Sequence, residues 1–225
     1  MYRPKPCRSC AMPAPEAELR VLVLNASLKH AAGLSNTGEL ADLVIENMRE
    51  HRIVAETVRL ADQKLPVGLG FRESPDDDWP GIVERIKNAD IVIFATPIWW
   101  GGRSSLLQRV IERMDAFDEE AMDGGRSVLL NKVAGVVITG SEDSAQATLG
   151  SVMEVLTFMN FTLPPECCAY WVGEVGLDPQ TDRKRRLANK STRHMDANMA
   201  RNLVFYAQLL RKFPLTPEAS HAMYD

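Results

Sequence analysis

The chain has 225 residues, of which 45% are hydrophobic and 25% are charged, as in an ordinary globular protein. Its formal net charge of −4 argues against a general nucleic-acid binder, which usually carries a basic patch. No apolar run approaches the roughly 20 residues of a membrane span, and residues 1–18 lack the hydrophobic stretch of a secretory signal. We therefore expect a cytoplasmic protein with neither nucleic-acid nor membrane partners.

Strands and helices are predicted to alternate along the chain. Apolar runs typical of buried strands cover residues 19–24, 53–60, 90–95, 132–138 and 167–172. Helical spacing of apolar residues covers 37–49, 78–88, 104–114, 145–159 and 191–213. Strands that alternate with helices indicate βαβ units, so we expect an α/β fold with a doubly wound, five-stranded parallel sheet and helices on both faces.

The ends of the chain differ from this alternating region. Residues 1–18 are rich in proline and small residues and are predicted to form a flexible arm. Cys7 and Cys10 in this arm have the spacing of a redox pair, but no second pair completes a zinc site, so no metal is expected. Residues 19–174 are predicted to form the main domain, and residues 175–225 a C-terminal helical extension.

Three predicted strands are each followed by a loop of small, hydroxyl-bearing or aromatic residues. The first loop holds Ser27 and the run 35–37, the second spans 96–102, and the third spans 139–143. Ligands of such sheets bind where the carboxyl ends of the strands meet. Because one loop suits a phosphate and another suits a flat ring, the pattern indicates a mononucleotide cofactor.

The first loop contains the residues suited to a phosphate. Ser27, Ser35, Asn36 and Thr37 surround the start of a predicted helix, and Lys29 adds a positive charge. Free backbone N–H groups and the positive end of the helix dipole favour an anion there. The alternative is plain helix capping by Ser35 or Asn36, which needs no ligand. The loop matches neither the P-loop nor the dinucleotide-binding pattern.

The second loop, Thr96-Pro97-Ile98-Trp99-Trp100-Gly101-Gly102, contains the residues suited to a ring. Two adjacent tryptophans at the end of a buried strand cannot both enter one core. The glycines allow backbone N–H groups to approach a ligand, as an isoalloxazine ring requires beside its N1–C2=O end. The alternative is a protein–protein contact made by exposed tryptophans.

These loops resemble those of the flavodoxin-like NAD(P)H-dependent FMN reductase family. The resemblance covers residues 19–172 and is most specific over 96–113. It implies FMN, with NADPH or NADH as co-substrate. It implies cofactor contacts from Ser27, Lys29, Ser35, Asn36 and Thr37 at the phosphate, from Pro97, Ile98, Trp99, Trp100 and Gly101 along the ribityl chain and ring, and from Thr139, Gly140, Ser141 and Glu142 at the far side of the ring.

The resemblance also implies an activity. Nicotinamide would reduce FMN, and a small acceptor such as a quinone, a flavin, an azo or nitro compound or a metal ion would take the electrons. No catalytic side chain is expected, since the cofactor carries the chemistry. Two alternatives stay open: a flavodoxin-type electron carrier, and an FMN-binding protein without activity. We expect a homodimer or homotetramer, and the run Arg183-Lys184-Arg185-Arg186 is predicted to be solvated or to face the phosphate of NADP.

Overall fold

A computed structural model describes residues 18–30, 33–141 and 144–216 of the chain. Its centre is a six-stranded sheet. In chain order the strands are β1 (Leu19–Asn25), β2 (Ile53–Arg59), β3 (Ile91–Trp99), β4 (Gly102–Arg103), β5 (Val133–Gly140) and β6 (Cys168–Val172). Five of them lie side by side in the order β2-β1-β3-β5-β6, and all neighbours in this order are parallel. The predicted α/β fold with a parallel sheet is therefore confirmed.

The expectation of exactly five strands is wrong by one. β4 is a two-residue strand that pairs antiparallel with the end of β3, through Ile98 with Arg103 and Trp99 with Gly102. It was missed because β3 continues through Pro97 to Trp99, beyond the apolar run that ends at residue 95. The second loop is consequently a hairpin and not an open loop.

Seven α-helices and one short 3₁₀-helix, Leu60–Asp62, complete the described part of the chain. The α-helices are α1 (Asn36–Asn47), α2 (Trp79–Asn88), α3 (Ser105–Arg113), α4 (Asp115–Gly124), α5 (Ala145–Phe158), α6 (Pro179–Ala188) and α7 (Lys190–Lys212). The five predicted helices are present with ends shifted by one or two residues. Helix α6 was not predicted, although Asp178 caps it and Pro179 occupies its first turn, a typical start signal. None of the described helices is both long and apolar enough to cross a bilayer.

The helices cover the two faces of the sheet, and a hydrophobic core lies on each face. On one face the core contains residues of α2, α3, α4 and α5, with Trp79 and Phe117 among its fully buried side chains. On the other face it contains residues of α1 and α7, including Met199 and Leu203. The long helix α7 is thus part of a core layer. Such two-sided covering explains why β1, β3 and β5 are apolar along nearly their whole length.

Arg113 makes three hydrogen bonds to the long connection between β2 and α2. The guanidinium of Arg113 donates to the Asp77 carboxylate at 2.7 Å, to the Gly70 carbonyl at 3.0 Å and to the Pro66 carbonyl at 3.2 Å. The side chains of Arg113 and Asp77 are both completely buried. Burial raises the pKa of Asp77, but hydrogen bonds from Arg113 and from two backbone N–H groups hold that pKa below its ordinary value.

Candidate functional site

A cleft of about 310 Å³ opens at the edge of the sheet where β1, β3 and β5 end. Ten of the fourteen residues predicted to hold a cofactor line it: Ser27, Lys29, Asn36, Thr37, Pro97, Ile98, Trp99, Thr139, Gly140 and Ser141. Because parallel strands end at a common edge, residues from three distant segments reach one cleft. Its volume lies in the range of small-molecule sites, roughly 300–1,000 Å³.

Three hydrogen bonds hold the first loop against the ends of β1 and β2. The backbone N–H of Ser27 donates to the Asn25 side chain at 3.0 Å, and the N–H of Lys29 donates to the Ser27 hydroxyl at 3.3 Å. Arg59 donates to the Lys29 carbonyl at 2.9 Å and so ties the loop to the end of β2. Ser27 is buried by these contacts, and it remains in the cleft wall.

Ser35 acts as the cap of α1. Its hydroxyl accepts a hydrogen bond from the Gly38 N–H at 3.0 Å, and Ser35 does not line the cleft. The capping interpretation therefore describes Ser35. Asn36 and Thr37, the first two residues of the helix, do line the cleft. Their position at the helix start is where unpaired backbone N–H groups and the positive end of the dipole lie.

The second loop is a two-residue hairpin turn that separates the two tryptophans. Trp100 and Gly101 have φ of 50° and 78°, as in the turns that suit tight hairpins. Trp99 lines the cleft, whereas Trp100 is 93% exposed at the tip of the turn. Trp100 and Gly101 are absent from the cleft wall, because the turn directs the chain away from it.

Ser104 joins the second loop to the first. Its hydroxyl donates to the Ala26 carbonyl at 2.8 Å, and its backbone N–H donates to the Thr96 hydroxyl at 3.0 Å. The same hydroxyl accepts from the Leu107 N–H at 3.3 Å and caps α3. Ser104 is fully buried, and its hydrogen bonds fix the spacing between the first loop and the hairpin.

The third loop touches both of the others. The Thr139 and Thr37 hydroxyl oxygens are 2.6 Å apart, a hydrogen bond between the third loop and α1. A Cβ on Gly140 would lie 2.8 Å from Cδ1 of Ile98, so only glycine permits this approach of β5 to β3. Ser141 is exposed and lines the cleft, and Glu142 lies outside the described residues.

One wall of the cleft comes from a part of the chain that was not predicted to take part. The segment after β5 contributes residues from the end of β6, from the following loop and from α6: Trp171, Glu174, Gly176, Leu177, Pro179 and Asp182. Leu28 completes the lining. The only sequence signal for this wall is the glycine-containing segment that follows β6, a common position for binding loops in parallel sheets.

The basic run at 183–186 is mostly paired with acidic side chains. Arg183 and Arg186 both contact Glu39, and Arg185 contacts Glu174 at 2.7 Å. Arg186 is completely buried, so the prediction of a solvated run is wrong at this residue. The helical periodicity of α6 turns Arg186 inward, towards α1.

The groups in the cleft have the chemistry of a phosphate and ring site. Ser27, Thr37 and Asn36 supply hydroxyl and amide donors at the start of α1, and Lys29 supplies a cation. Ile98 and Trp99 supply apolar faces to the same cleft. This donor set fits a phosphate monoester attached to a flat aromatic ring. Among residues 18–30, 33–141 and 144–216, no cluster of side chains suited to a metal ion is found.

Comparison with protein families gives a match over most of this structure. The model of the NADPH-dependent FMN reductase family matches residues 19–173, which include β1 to β6 and all three loops. The chain is 29% identical over 214 residues to 8-demethyl-8-aminoriboflavin-5'-phosphate synthase of Streptomyces davaonensis, covering 89% of this chain and 81% of that protein.

Two further similarities extend beyond the family match. The crystal structure of RosB with bound intermediate 8-demethyl-8-formylriboflavin-5'-phosphate superposes with a TM-score of 0.78 at 28% identity, covering 90% of this chain and 84% of that one. The divalent metal cation transporter MntH of Mycobacterium bovis is 33% identical over 206 residues, covering 86% of this chain. The chain spans 29% of the length of that transporter.

Proposed function

The chain belongs to the NADPH-dependent FMN reductase family, and from this membership we propose that it is an FMN-dependent NAD(P)H oxidoreductase that passes electrons to a small acceptor. A flavin-related oxidoreductase with FMN and NAD(P)H follows from the family. The cleft supports the proposal, because it combines a helix start rich in hydrogen-bond donors with an aromatic wall. Bound FMN would supply the redox chemistry, since it can accept a hydride from a nicotinamide and return the electrons to an acceptor.

The residues of the cleft would bind and orient the cofactor. In this proposal Ser27, Lys29, Asn36 and Thr37 hold the phosphate, which supplies binding energy far from the reacting ring. Pro97, Ile98 and Trp99 would lie along one side of the ring, and Thr139, Gly140 and Ser141 would lie at the other, since all six residues line the cleft. Ser35 would act indirectly, by capping α1 and so fixing the helix start.

The acceptor class is proposed from the shape of the site. The cleft is open and partly apolar near Trp99, which is 49% exposed. A flat acceptor such as a quinone, a flavin or an azo or nitro compound would find apolar surface there. A metal ion as acceptor would need carboxylates, and the acids in the wall are Glu174 and Asp182, each paired with an arginine. Organic acceptors are therefore proposed first.

The activity can be tested in two steps. Purified protein is titrated with FMN and followed by flavin fluorescence, and the complex is then mixed anaerobically with NADPH or NADH in a stopped-flow instrument. We expect the nicotinamide to bleach the absorbance of the oxidised flavin. An added acceptor should then restore that absorbance and allow the nicotinamide to be consumed over many turnovers. A protein that binds FMN but is not reduced by either nicotinamide would support the electron carrier instead.

A second candidate function is suggested by the similarity to the aminoriboflavin phosphate synthase. That similarity extends past residue 173 and so includes the wall after β6, which lines the cleft. In this candidate FMN is a substrate that is altered at its 8-position and released. The two functions share a binding site, and they differ in the fate of the flavin.

Mass spectrometry separates the two candidates. FMN is incubated with the protein in air, with and without an amino donor such as glutamate, and the flavin is then extracted. An oxidoreductase returns FMN with unchanged mass, whereas a flavin-modifying enzyme converts it to a product of different mass. The loss of FMN with turnover, seen only in the presence of the protein, would overturn the first proposal.

We also propose that the protein forms a homodimer or homotetramer. The exposed side chains of Trp99 and Trp100, next to the cleft, support an interface because aromatic residues are enriched in protein–protein contacts. Light scattering coupled to gel filtration measures the mass directly. A mass of one chain at all accessible concentrations would contradict this proposal.

A further inference from the structure

The carboxylate of Asp182 joins two residues of the cleft wall. Its Oδ1 accepts a hydrogen bond from the indole N–H of Trp171 at 2.8 Å, and its Oδ2 accepts one from the side-chain amide of Asn36 at 3.2 Å. Trp171 lies in β6, whereas Asn36 is the first residue of α1. Asp182 therefore connects the wall after β6 with the proposed phosphate end of the site.

Gly173, directly after β6, has no side chain and so leaves room for this carboxylate. A Cβ on Gly173 would lie 2.2 Å from Oδ1 of Asp182, so a side chain at position 173 would displace the acid. The N–H of Gly173 also donates to the Gly140 carbonyl at 2.7 Å, which fixes Gly173 against the third loop. Asp182 thus occupies a defined position beside the cleft, and it is 8% exposed.

The negative charge of Asp182 is compensated on the side away from the cleft. Arg186 donates to Oδ2 of Asp182 at 2.8 Å and also contacts Glu39, which in turn contacts Arg183. Two acids and two arginines form this network, so it carries no net charge. A compensated carboxylate can lie near an anion site at a smaller electrostatic cost than an isolated one.

The contact determines how the amide of Asn36 is oriented. A carboxylate only accepts hydrogen bonds, so it selects the NH₂ group of Asn36 and not its carbonyl oxygen. An amide NH₂ has two hydrogens, and the bond to Asp182 uses one of them. The second hydrogen is then held in a fixed direction at the start of α1, where an anion is favoured.

Resting on the proposed function, we propose that Asp182 is a positioning residue that orients Asn36 towards the phosphate of FMN and makes the site selective for FMN over riboflavin. Asp182 does not itself contact the reacting ring in this proposal. It acts through Asn36 at the phosphate end, and its bond to Trp171 keeps α6 against the cleft. Loss of Asp182 should therefore weaken the binding of FMN more than the binding of riboflavin.

The test compares the affinities for FMN and riboflavin in matched variants. Both dissociation constants are measured by flavin fluorescence quenching in the wild type, Asp182→Ala, Asn36→Ala and the double variant. We expect each single variant to lower the ratio of riboflavin to FMN dissociation constants about fivefold, and the double variant to lower it no further. Equal weakening for both flavins, or independent effects of the two substitutions, would overturn the proposal.

Two further variants separate positioning from general loosening. Asp178→Ala removes the cap of α6, where Asp178 accepts from the N–H groups of Gln180 and Thr181, without touching Asn36. It should leave the ratio unchanged, and a loss equal to that of Asp182→Ala would overturn the proposal. If Asp182→Ala does not fold, Asp182→Leu fills the space without any hydrogen-bond acceptor, so it should lower the ratio in the same way; an unchanged ratio in folded Asp182→Leu contradicts the role of the carboxylate.

The wild-type measurement distinguishes this proposal from the function on which it rests. A wild type that binds neither flavin contradicts both the oxidoreductase and the positioning role. A wild type that binds FMN and is reduced by a nicotinamide, with a ratio that Asp182→Ala does not move, contradicts only the positioning role. Circular dichroism of every variant confirms that the folded proteins are compared.

Discussion

Thr37 at the start of α1 and Thr139 at the end of β5 bond to one another, with 2.6 Å between their hydroxyl oxygens across 102 positions of sequence. Both are nearly fully buried, and both line the cleft. The contact joins the first and third loops, which the sequence predicts only as separate loops. It also fixes the third loop against the start of α1.

Replacement of Thr37 by valine should weaken the binding of FMN. Valine keeps the shape of threonine but removes a hydroxyl that the phosphate or Thr139 would use, and a hydrogen bond to a charged group contributes about 1.5–3 kcal/mol. We expect the dissociation constant for FMN to rise about tenfold, measured by flavin fluorescence quenching. Thr57→Val, on the exposed part of β2, serves as the control and should bind FMN like the wild type. Unchanged affinity in folded Thr37→Val would remove Thr37 from the site.

Replacement of Trp100 by asparagine should stabilise the protein without loss of FMN binding. Trp100 has a φ of 50°, a left-handed conformation that costs a bulky residue about 1 kcal/mol, whereas Asn-Gly is favoured in such turns. We expect the free energy of unfolding to rise by about 1 kcal/mol in urea titrations.

The matched variant for this prediction is Trp99→Ala. Trp99 lines the cleft and Trp100 does not, so Trp99→Ala should weaken FMN binding about tenfold while Trp100→Asn leaves it within about twofold. A strong loss of FMN affinity in Trp100→Asn would show that Trp100 contacts the cofactor, as the family resemblance implies.

The buried pair of Arg113 and Asp77 should dominate the stability of the long connection before α2. Asp77→Ala leaves the buried guanidinium of Arg113 without its carboxylate, and breaking a buried pair in this way costs about 3–5 kcal/mol. Urea unfolding of Asp77→Ala checks this value. The exposed pair of Lys64 and Asp76 is the control, and Asp76→Ala should leave the free energy of unfolding nearly unchanged. Similar losses in both variants would contradict the special role of the buried pair.

Asp196 on α7 should make the protein less stable as the pH rises from about 4 to 7. The residue is 1% exposed, and burial, only partly opposed by Arg193, raises the pKa of its carboxyl to about 7. Between the unfolded value of 3.8 and about 7 the folded chain binds the extra proton, so each unit of rising pH favours unfolding, and above pH 7 the loss is complete. Asparagine at position 196 has no ionisable group, so it would not destabilise the protein as the pH rises.

The variant Asp196→Asn tests the titration of this acid. We expect it to be more stable than the wild type by about 4 kcal/mol at pH 8, and by only about 1 kcal/mol at pH 4.5, because the shift of about three pKa units corresponds to about 1.4 kcal/mol per unit. The free energy of unfolding is measured in urea at several pH values, with Glu50→Gln on an exposed position as the control. A difference that does not change between pH 4.5 and pH 8 would show that the carboxyl does not titrate in this range.

The amino-acid sequence alone accounts for those strands, helices and loops that local residue patterns specify. Apolar runs such as residues 19–24 mark strands buried on both faces, and the small polar residues after them mark loops at one edge. From these patterns the parallel α/β sheet follows. The resemblance of the loops to the FMN reductase family adds the predicted cofactor residues, ten of which line the cleft. The short motif at 96–102 adds the family, because its residue types are specific to a ring-binding loop.

Packing between distant segments of the chain sets which of these residues line the same cleft. The direction of Trp100 depends on a hairpin with β4, and the wall that contains Asp182 depends on α6 packing against α1 from 146 positions away. Local patterns report the preferences of a few neighbouring residues, whereas these contacts arise when distant segments are packed together. A buried carboxylate such as Asp182 is indistinguishable in sequence from a solvated one, since its partners come from other elements of the fold.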